Sequence, residues 1–250
     1  MTLFKRKILR SKPRKLSWSA FNRANKRYYQ KVENYDWTDI ADHFKGPETL
    51  LHRWREFWVV YLIRRFRSPA RLKVAAGNRR PREVPSLPRD EMRPALDIGC
   101  GTGLILRHLP PGSCGVDINP RNLKRLKKYA PGRKGILADV ERKLPFKNES
   151  FSLVTAAEVL EHLVYPEKAL REIKRVMKKG GVFIGSVPID NWFWKLRFLS
   201  VSYHKLGQQK EPFHNEMTQK ELHALLRTAF KCFYIYPHFI SNFFFVAWKD

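Results

Sequence analysis

Downstream of Ala95 the chain alternates short apolar runs with longer stretches in which apolar residues recur every three or four positions. Ala95-Leu96-Asp97-Ile98 reads as a short buried strand. Gly115-Val116-Asp117-Ile118, Gly135-Ile136-Leu137-Ala138-Asp139, Phe151–Ala157 and Val182–Val187 read as four more. A helix is expected over 120–130, opened by Pro120, with Leu123, Leu126 and Ala130 on one side and Lys124, Arg125, Lys127 and Lys128 on the other. A second is expected over 166–178, burying Ala169, Leu170, Ile173, Val176 and Met177, with Gly180-Gly181 as its stop. A third, over 218–230, opens with Thr218 and has Glu221 three residues on, the pattern of a capping box. Cys232–Tyr236 and Phe243–Trp248 finish the chain as strands. The link between them is too short for a parallel crossover, so the pair should be antiparallel.

Before Ala95 the pattern changes. Leu51, Trp54, Trp58, Tyr61 and Leu62 fall at helical spacing within 48–67 and read as the packing stripe of a helix, with Arg53, Arg64 and Arg65 elsewhere on it. Residues 76–94 are a proline- and arginine-rich connection. Residues 1–32 contain no acid, and their lysines and arginines are spread among Trp18, Phe21, Tyr28 and Tyr29. Residues 1–47 are therefore expected to be a basic, partly disordered arm, of which residues 1–32 serve localisation or substrate capture and not the fold. Residues 48–94 form a helix and connection, and 95–250 the main domain.

Composition narrows the class. A hydrophobic share of 43% in 250 residues suits one globular domain with an extension. The formal net charge of +26 implies an anionic partner, either an acidic membrane face or RNA. The three cysteines, Cys100, Cys114 and Cys232, have no disulfide or zinc spacing and read as reduced thiols. No apolar stretch reaches the length of a membrane span, and no signal-peptide pattern appears. A cytoplasmic protein, peripheral at a membrane, is expected. The arginine-rich start also fits an organelle transit peptide.

The chemistry centres on Gly99-Cys100-Gly101-Thr102-Gly103, directly after the first strand. Three glycines at alternate positions let the backbone turn sharply and a ligand come close. Gly103–Arg107 then reads as a helix start, whose free N–H groups favour electron-rich ligand groups. Asp117 ends the second strand about twenty residues after Asp97, the separation expected of a carboxylate holding ribose hydroxyls. Asp139 ends the third. Parallel strands bring all these groups to one carboxyl edge, where open α/β sheets bind ligands.

The Gly-x-Gly-x-Gly spacing, together with Leu144-Pro145-Phe146, Glu158-Val159-Leu160-Glu161-His162-Leu163 and Arg175–Gly181, resembles the class I S-adenosylmethionine-dependent methyltransferases. Within them it is similar to the type 11 group of small-molecule and quinone-pathway enzymes. Lys179 and Ser152 depart from the family pattern at positions that do not touch the cofactor there. The resemblance implies an α/β, Rossmann-like doubly wound sheet of seven strands, mostly parallel with an antiparallel last strand. It implies S-adenosylmethionine as cofactor. Asp97 and the backbone of Gly99, Cys100, Gly101 and Gly103 would face its methionine part. Asp117, with Ile118 beside it, would hold the ribose. Asp139 would take the adenine amine, with Val140 against the ring. Ala157 and Glu158 would close over the sulfonium.

On the acceptor side His162 is the candidate base, and His214 can reach the same edge in this family. Glu158, Glu161 and His162 fall at i, i+3 and i+4, and with His214 would suit a divalent ion. That order resembles the metal-binding segment of ubiquinone-pathway and small-RNA O-methyltransferases. It also occurs in metal-free relatives, where His162 works alone. The aromatic and cationic segment 191–199 stands where the family has its substrate lid. The leading function is methyl transfer to a hydroxyl of a small or lipid-like acceptor. An RNA 2′-O-methyltransferase and a non-catalytic S-adenosylmethionine-binding module are the alternatives.

Overall fold

The computed structural model describes residues 17–32, 36–44, 46–67, 94–189, 213–215, 217–236 and 242–250. Three helices come first: α1 (Trp18–Lys31), α2 (Trp37–Asp42) and α3 (Pro47–Arg67). The sheet then takes β1 (Leu96–Ile98), β2 (Cys114–Asp117), β3 (Lys134–Leu137), β4 (Phe151–Ala157), β5 (Met177–Pro188), β6 (Cys232–Tyr236) and β7 (Asn242–Trp248). Helices α4 (Pro120–Tyr129), α5 (Pro166–Val176) and α6 (Gln219–Leu226) fall between strands.

The seven strands lie in the order β3-β2-β1-β4-β5-β7-β6. The first five in sequence run parallel, and β7 is antiparallel to both neighbours. The chain moves outward from β1 to β3, then returns across β1 to start β4. The strand order therefore reverses between β1 and β4, and a crevice opens outside their carboxyl ends.

Central strands are apolar on both faces, as a sheet covered on both sides requires. Leu96, Ile98, Val154, Ala156 and Phe183 face one core with Ala169, Leu170 and Ile173 of α5 and Leu222, Leu225 and Leu226 of α6. Their neighbours Leu153, Val182 and Ile184 face the other, with Val59, Leu62, Ile63 and Phe66 of α3 and Leu126 of α4. The capping box at Thr218 and Glu221 forms as its spacing predicts.

Several expectations are corrected. Helix α5 ends at Val176 and Met177 already belongs to β5, so Gly180-Gly181 do not stop a helix. Instead Gly180, at φ +71°, lies within the strand where its amide donates to the Lys249 carbonyl. The segment after Gly103 is a run of turns with a short 3₁₀ turn at Leu106–His108, so no α-helix N-terminus faces the glycines. Helix α3 is rotated from its expected stripe. Val59, Leu62, Ile63 and Phe66 are buried, while Leu51, Trp54 and Trp58 are half-buried and Tyr61 is exposed. Its inward face is polar in the first half, with Glu48, Thr49, His52 and Arg55 buried, because that half lies beside polar loops at the sheet edge.

The largest correction concerns α1. Ser17 caps it, accepting from the Ala20 amide. Phe21 is 2% exposed within the core, edge-on to Trp18 and Phe213. This part of the arm is fold. Residues 1–16, most of the 76–94 connection and segment 191–199 lie outside the described residues.

Candidate active site

All three loop glycines adopt left-handed backbone: Gly99 at φ +62°, Gly101 at +52° and Gly103 at +107°. A side chain on Gly99 would stand 2.5 Å from a Val159 methyl group, so the turn admits none. A Cβ on Gly101 would meet nothing within 4 Å, so this backbone borders open space. The Gly101 amide donates to Asp117 Oδ2 at 2.8 Å, and the Asn119 amide to Oδ1 at 2.7 Å. The acid of β2 thus staples the loop that follows β1. Helix α2 covers the loop from the other side, with Thr38 and Thr102 hydroxyls 2.7 Å apart and Thr102 donating to Asp36.

Asp97 is buried in β1 and accepts from the Thr155 hydroxyl at 2.6 Å. Burial, reinforced by the charge of Asp117, pushes its carboxyl up to about 7. Burial also raises Asp117, against the amides that hold its charged form. Cys100 is buried, and burial pushes its thiol upward, so it is an inert part of the turn. Ile118 is half-buried after β2.

Asp139 lies two residues past the end of β3. Its Oδ1 accepts from the Glu141 amide and its Oδ2 pairs with Lys26 of α1 at 2.6 Å. Lys26 also pairs with Glu141 at 2.7 Å, and Asn22 donates to the same Glu141 oxygen. Val140 is buried beside them.

Past β4 the chain enters a 3₁₀ turn at Leu160–His162 in place of the expected α-helix start. This separates the expected metal set. Glu158, at φ +57°, points away: Ser186 and Asn242 donate to its Oε1, and Arg55 of α3 lies 3.7 Å from Oε2. Glu161, His162 and His214 stay together, each offering a ligand atom within 4.8 Å of the others. His162 Nε2 lies 3.6 Å from Glu161 Oε1, and the Asn215 amide anchors the His214 segment on the Glu161 carbonyl.

Helix α1 supplies what the motif reading missed. The Tyr29 hydroxyl lies 2.8 Å from His162 Nδ1 and donates to the Phe213 carbonyl at 3.2 Å, while Asn25 donates to the His162 carbonyl. The signal was present in the sequence: Trp18, Phe21, Asn25 and Tyr29 recur every three to four residues, the spacing of one helix face.

Residues 96–185 match the family of the methyltransferase domain. Residues 96–185 carry a methyltransferase domain, and the fold is that of S-adenosylmethionine-dependent methyltransferases. A mouse relative, mitochondrial arginine-hydroxylase NDUFAF5 (Mus musculus), is 35% identical over 130 residues, 50% of this chain and 37% of its own length. The chloroplastic 2-methyl-6-phytyl-1,4-hydroquinone methyltransferase 1 of Oryza sativa subsp. japonica is 27% identical over 122 residues, 46% of this chain and 37% of its own. The matched part is thus well under half of each of these relatives. A solved S-adenosylmethionine-dependent methyltransferase from Thermotoga maritima superposes with a TM-score of 0.53 at 22% identity, covering 86% of this chain and 99% of the other. That likeness is one of fold. The methyltransferase domain has its glycine turn, Asp97, Asp117, Asp139 and the Glu161–His162–His214 cluster at one sheet edge.

Proposed function

We propose that this methyltransferase domain transfers a methyl group from S-adenosylmethionine to a hydroxyl of a small or lipid-like acceptor. The observation that carries this reading is the cluster of Glu161, His162 and His214 on the edge that also holds the cofactor acids. A hydroxyl needs a base to lose its proton during alkylation. The rice relative, named for a phytyl-bearing hydroquinone, supports an acceptor of that class.

The cofactor supplies a methyl already activated on a sulfonium. Asp117 would hold the ribose hydroxyls through lone pairs beyond those that take the Gly101 and Asn119 amides. Asp97 would hold the methionine ammonium, with the backbone of Gly99, Cys100, Gly101 and Gly103 beside it. Asp139, next to Lys26, would take the adenine amine, with Val140 against the ring and Ile118 near the ribose. Ala157 and Glu158 would line the sulfonium side, with Arg55 3.7 Å from the Glu158 carboxylate.

Tyr29 has one hydroxyl hydrogen. Given to the Phe213 carbonyl, it leaves the oxygen to accept from His162 Nδ1–H. That tautomer puts the lone pair on Nε2, beside Glu161. His162 Nε2 would take the proton of the acceptor hydroxyl as its oxygen gains the methyl group that bound S-adenosylmethionine would supply, the sulfur leaving as a neutral thioether. The Glu161 carboxylate stabilises the imidazolium that forms. The same three residues fit a divalent ion, since two ligands of one tetrahedral ion stand about 3.4 Å apart, close to the 3.6 Å of His162 and Glu161. Such an ion would polarise the acceptor hydroxyl. Glu158 takes no part in that set.

Two measurements test the reading. Replacement of Asp117 by alanine is expected to weaken S-adenosylmethionine binding by about 1–3 kcal/mol in calorimetry, the cost of leaving its donors unpaired. Labelled methyl from S-adenosylmethionine, offered to a total lipid extract and to total RNA, is expected in the lipid fraction. His162→Ala should abolish uptake while S-adenosylmethionine still binds. Chelation and add-back then separates the two routes to the proton: loss restored by one ion, and absent in His214→Ala, assigns the ion. Label in RNA supports the RNA methyltransferase. Cofactor binding with no label anywhere supports a non-catalytic module, or an activity like the hydroxylation named for the mouse relative.

A further inference from the structure

Helix α3 has two apolar faces, and among the described residues only one is packed on the sheet. The inner face packs Val59, Leu62, Ile63 and Phe66 on the sheet. The outer face carries Leu50, Trp54, Phe57 and Tyr61 at i, i+4, i+7 and i+11, a stripe about 17 Å long along one side of the cylinder. Leu50 is 62% exposed, Phe57 59% and Tyr61 45%, and Phe44 in the preceding turn is 77% exposed. The rings are ordered against one another in the open. Phe57 stacks on Tyr61 at 15° with centroids 6.5 Å apart, and Trp54 on Phe57 at 27° and 6.4 Å. Trp58 meets Trp54 and Tyr61 edge-on at the rim of the stripe.

The flanks of the stripe are cationic. Arg53 and Arg64 project beside it on one side and Arg65 on the other, by the 100° step of the helix. The acids of this helix lie elsewhere: Glu48 is buried, and Glu56 is held by Arg107 at 2.6 Å and by His108. The outer face is therefore aromatic, arginine-edged and free of acid.

We propose that this outer face of α3 docks the protein on the headgroup layer of an anionic lipid bilayer. The composition points to lipid. Tryptophan, tyrosine and arginine are the residues that sit at the membrane–water boundary, where one end is apolar and the other wet. The arginines and the net charge of +26 match an acidic surface. A second copy of the chain is the poorer occupant, because a two-fold contact through this stripe would set Arg53, Arg64 and Arg65 against their own counterparts. Single-stranded nucleic acid is also poorer. It is bound in grooves that track its backbone, whereas these rings stack on each other along a convex helix. No described helix is long and apolar enough to cross a membrane, so the helix lies on the surface. The inward side of the same helix places Arg55 on Glu158, so docking holds the cofactor edge close to the lipid. The surface assigned here is distinct from the basic arm of residues 1–32, to which the sequence ascribes anionic binding.

The test uses the full chain and co-sedimentation with vesicles of phosphatidylcholine alone or mixed with phosphatidylglycerol. The expected result is binding to the mixed vesicles, much weaker binding to phosphatidylcholine, and an affinity at least about tenfold lower for the double variant Phe57→Ser, Tyr61→Ser. Both side chains are exposed, so its thermal midpoint and S-adenosylmethionine affinity should match the wild type. Arg64→Gln should weaken binding and flatten its salt dependence. Equal binding by the double variant and the wild type overturns the proposal, since charge elsewhere then suffices. It is also overturned if the wild type ignores both vesicles, if the variant loses affinity for RNA and not for lipid, or if it dissolves a dimer seen in sedimentation equilibrium.

Discussion

Asp97→Asn is expected to stabilise the ligand-free protein at pH 8 while weakening its hold on S-adenosylmethionine by tenfold or more. Burial, with the Asp117 charge close by, raises the Asp97 carboxyl to about 7. In the unfolded chain the same group titrates near 4. Between those values the native state keeps a proton that the unfolded state has lost. Asp97 therefore favours folding in full below about pH 4, and that contribution is lost as pH rises through about 7. Above that, the folded protein carries an ionised carboxylate it has buried, at a cost of up to about 4 kcal/mol. Asparagine keeps an oxygen for the Thr155 hydroxyl and removes the charge. Chemical denaturation should show the variant ahead at pH 8 and level with the wild type near pH 4. Cofactor binding runs the other way. An ammonium beside Asp97 favours its ionised form, so wild-type affinity should climb from pH 6 to pH 8 in calorimetry. The variant's affinity should be low and flat. A variant whose stability gain is the same at both pH values would show that the carboxyl of Asp97 is not raised.

A chain that starts at Tyr35 is expected to lose both stability and cofactor affinity. Removing residues 1–34 takes Phe21 out of the core and uncovers Phe213. Loss of a buried phenylalanine costs about 3–5 kcal/mol, which in a protein of this size lowers the thermal midpoint by roughly 10 °C. The removal also takes Lys26 from Asp139 and Glu141, and Tyr29 from His162. Differential scanning fluorimetry with and without S-adenosylmethionine measures both effects. An unchanged midpoint would mean that α1 adds nothing to the fold.

The strands and the placing of the glycine turn and acids on one sheet edge were legible because the signals there are local. Asp97, the glycine turn, Asp117 and Asp139 each sit at or just past the end of an apolar run, and parallel pairing then leaves them on one edge. Thr218 and Glu221 could be read because a capping box lies within one turn. What failed depended on partners far along the chain. Lys26 meets Asp139 across 113 positions and Tyr29 meets His162 across 133, and no local pattern encodes either. The basic residues of the arm mask its helical stripe, so Phe21 reads as one aromatic of a basic, partly disordered arm. Helix α3 misled because it is apolar on two sides, and the larger aromatic rings mark the outer one. Glu158 was grouped with Glu161 by assuming an α-helix after β4. The 3₁₀ turn and the left-handed backbone at Glu158 rotate the two carboxylates apart.

Lys26 and Tyr29 are three residues apart, so they leave the same face of α1 less than one turn from each other. One reaches an acid past β3 and the other an imidazole past β4. A single helix therefore bridges both, as a crossbar does. Under the proposed function, a nucleoside that displaces Lys26 from Asp139 and an acceptor that engages His162 both act on this helix, so each alters the grip on the other.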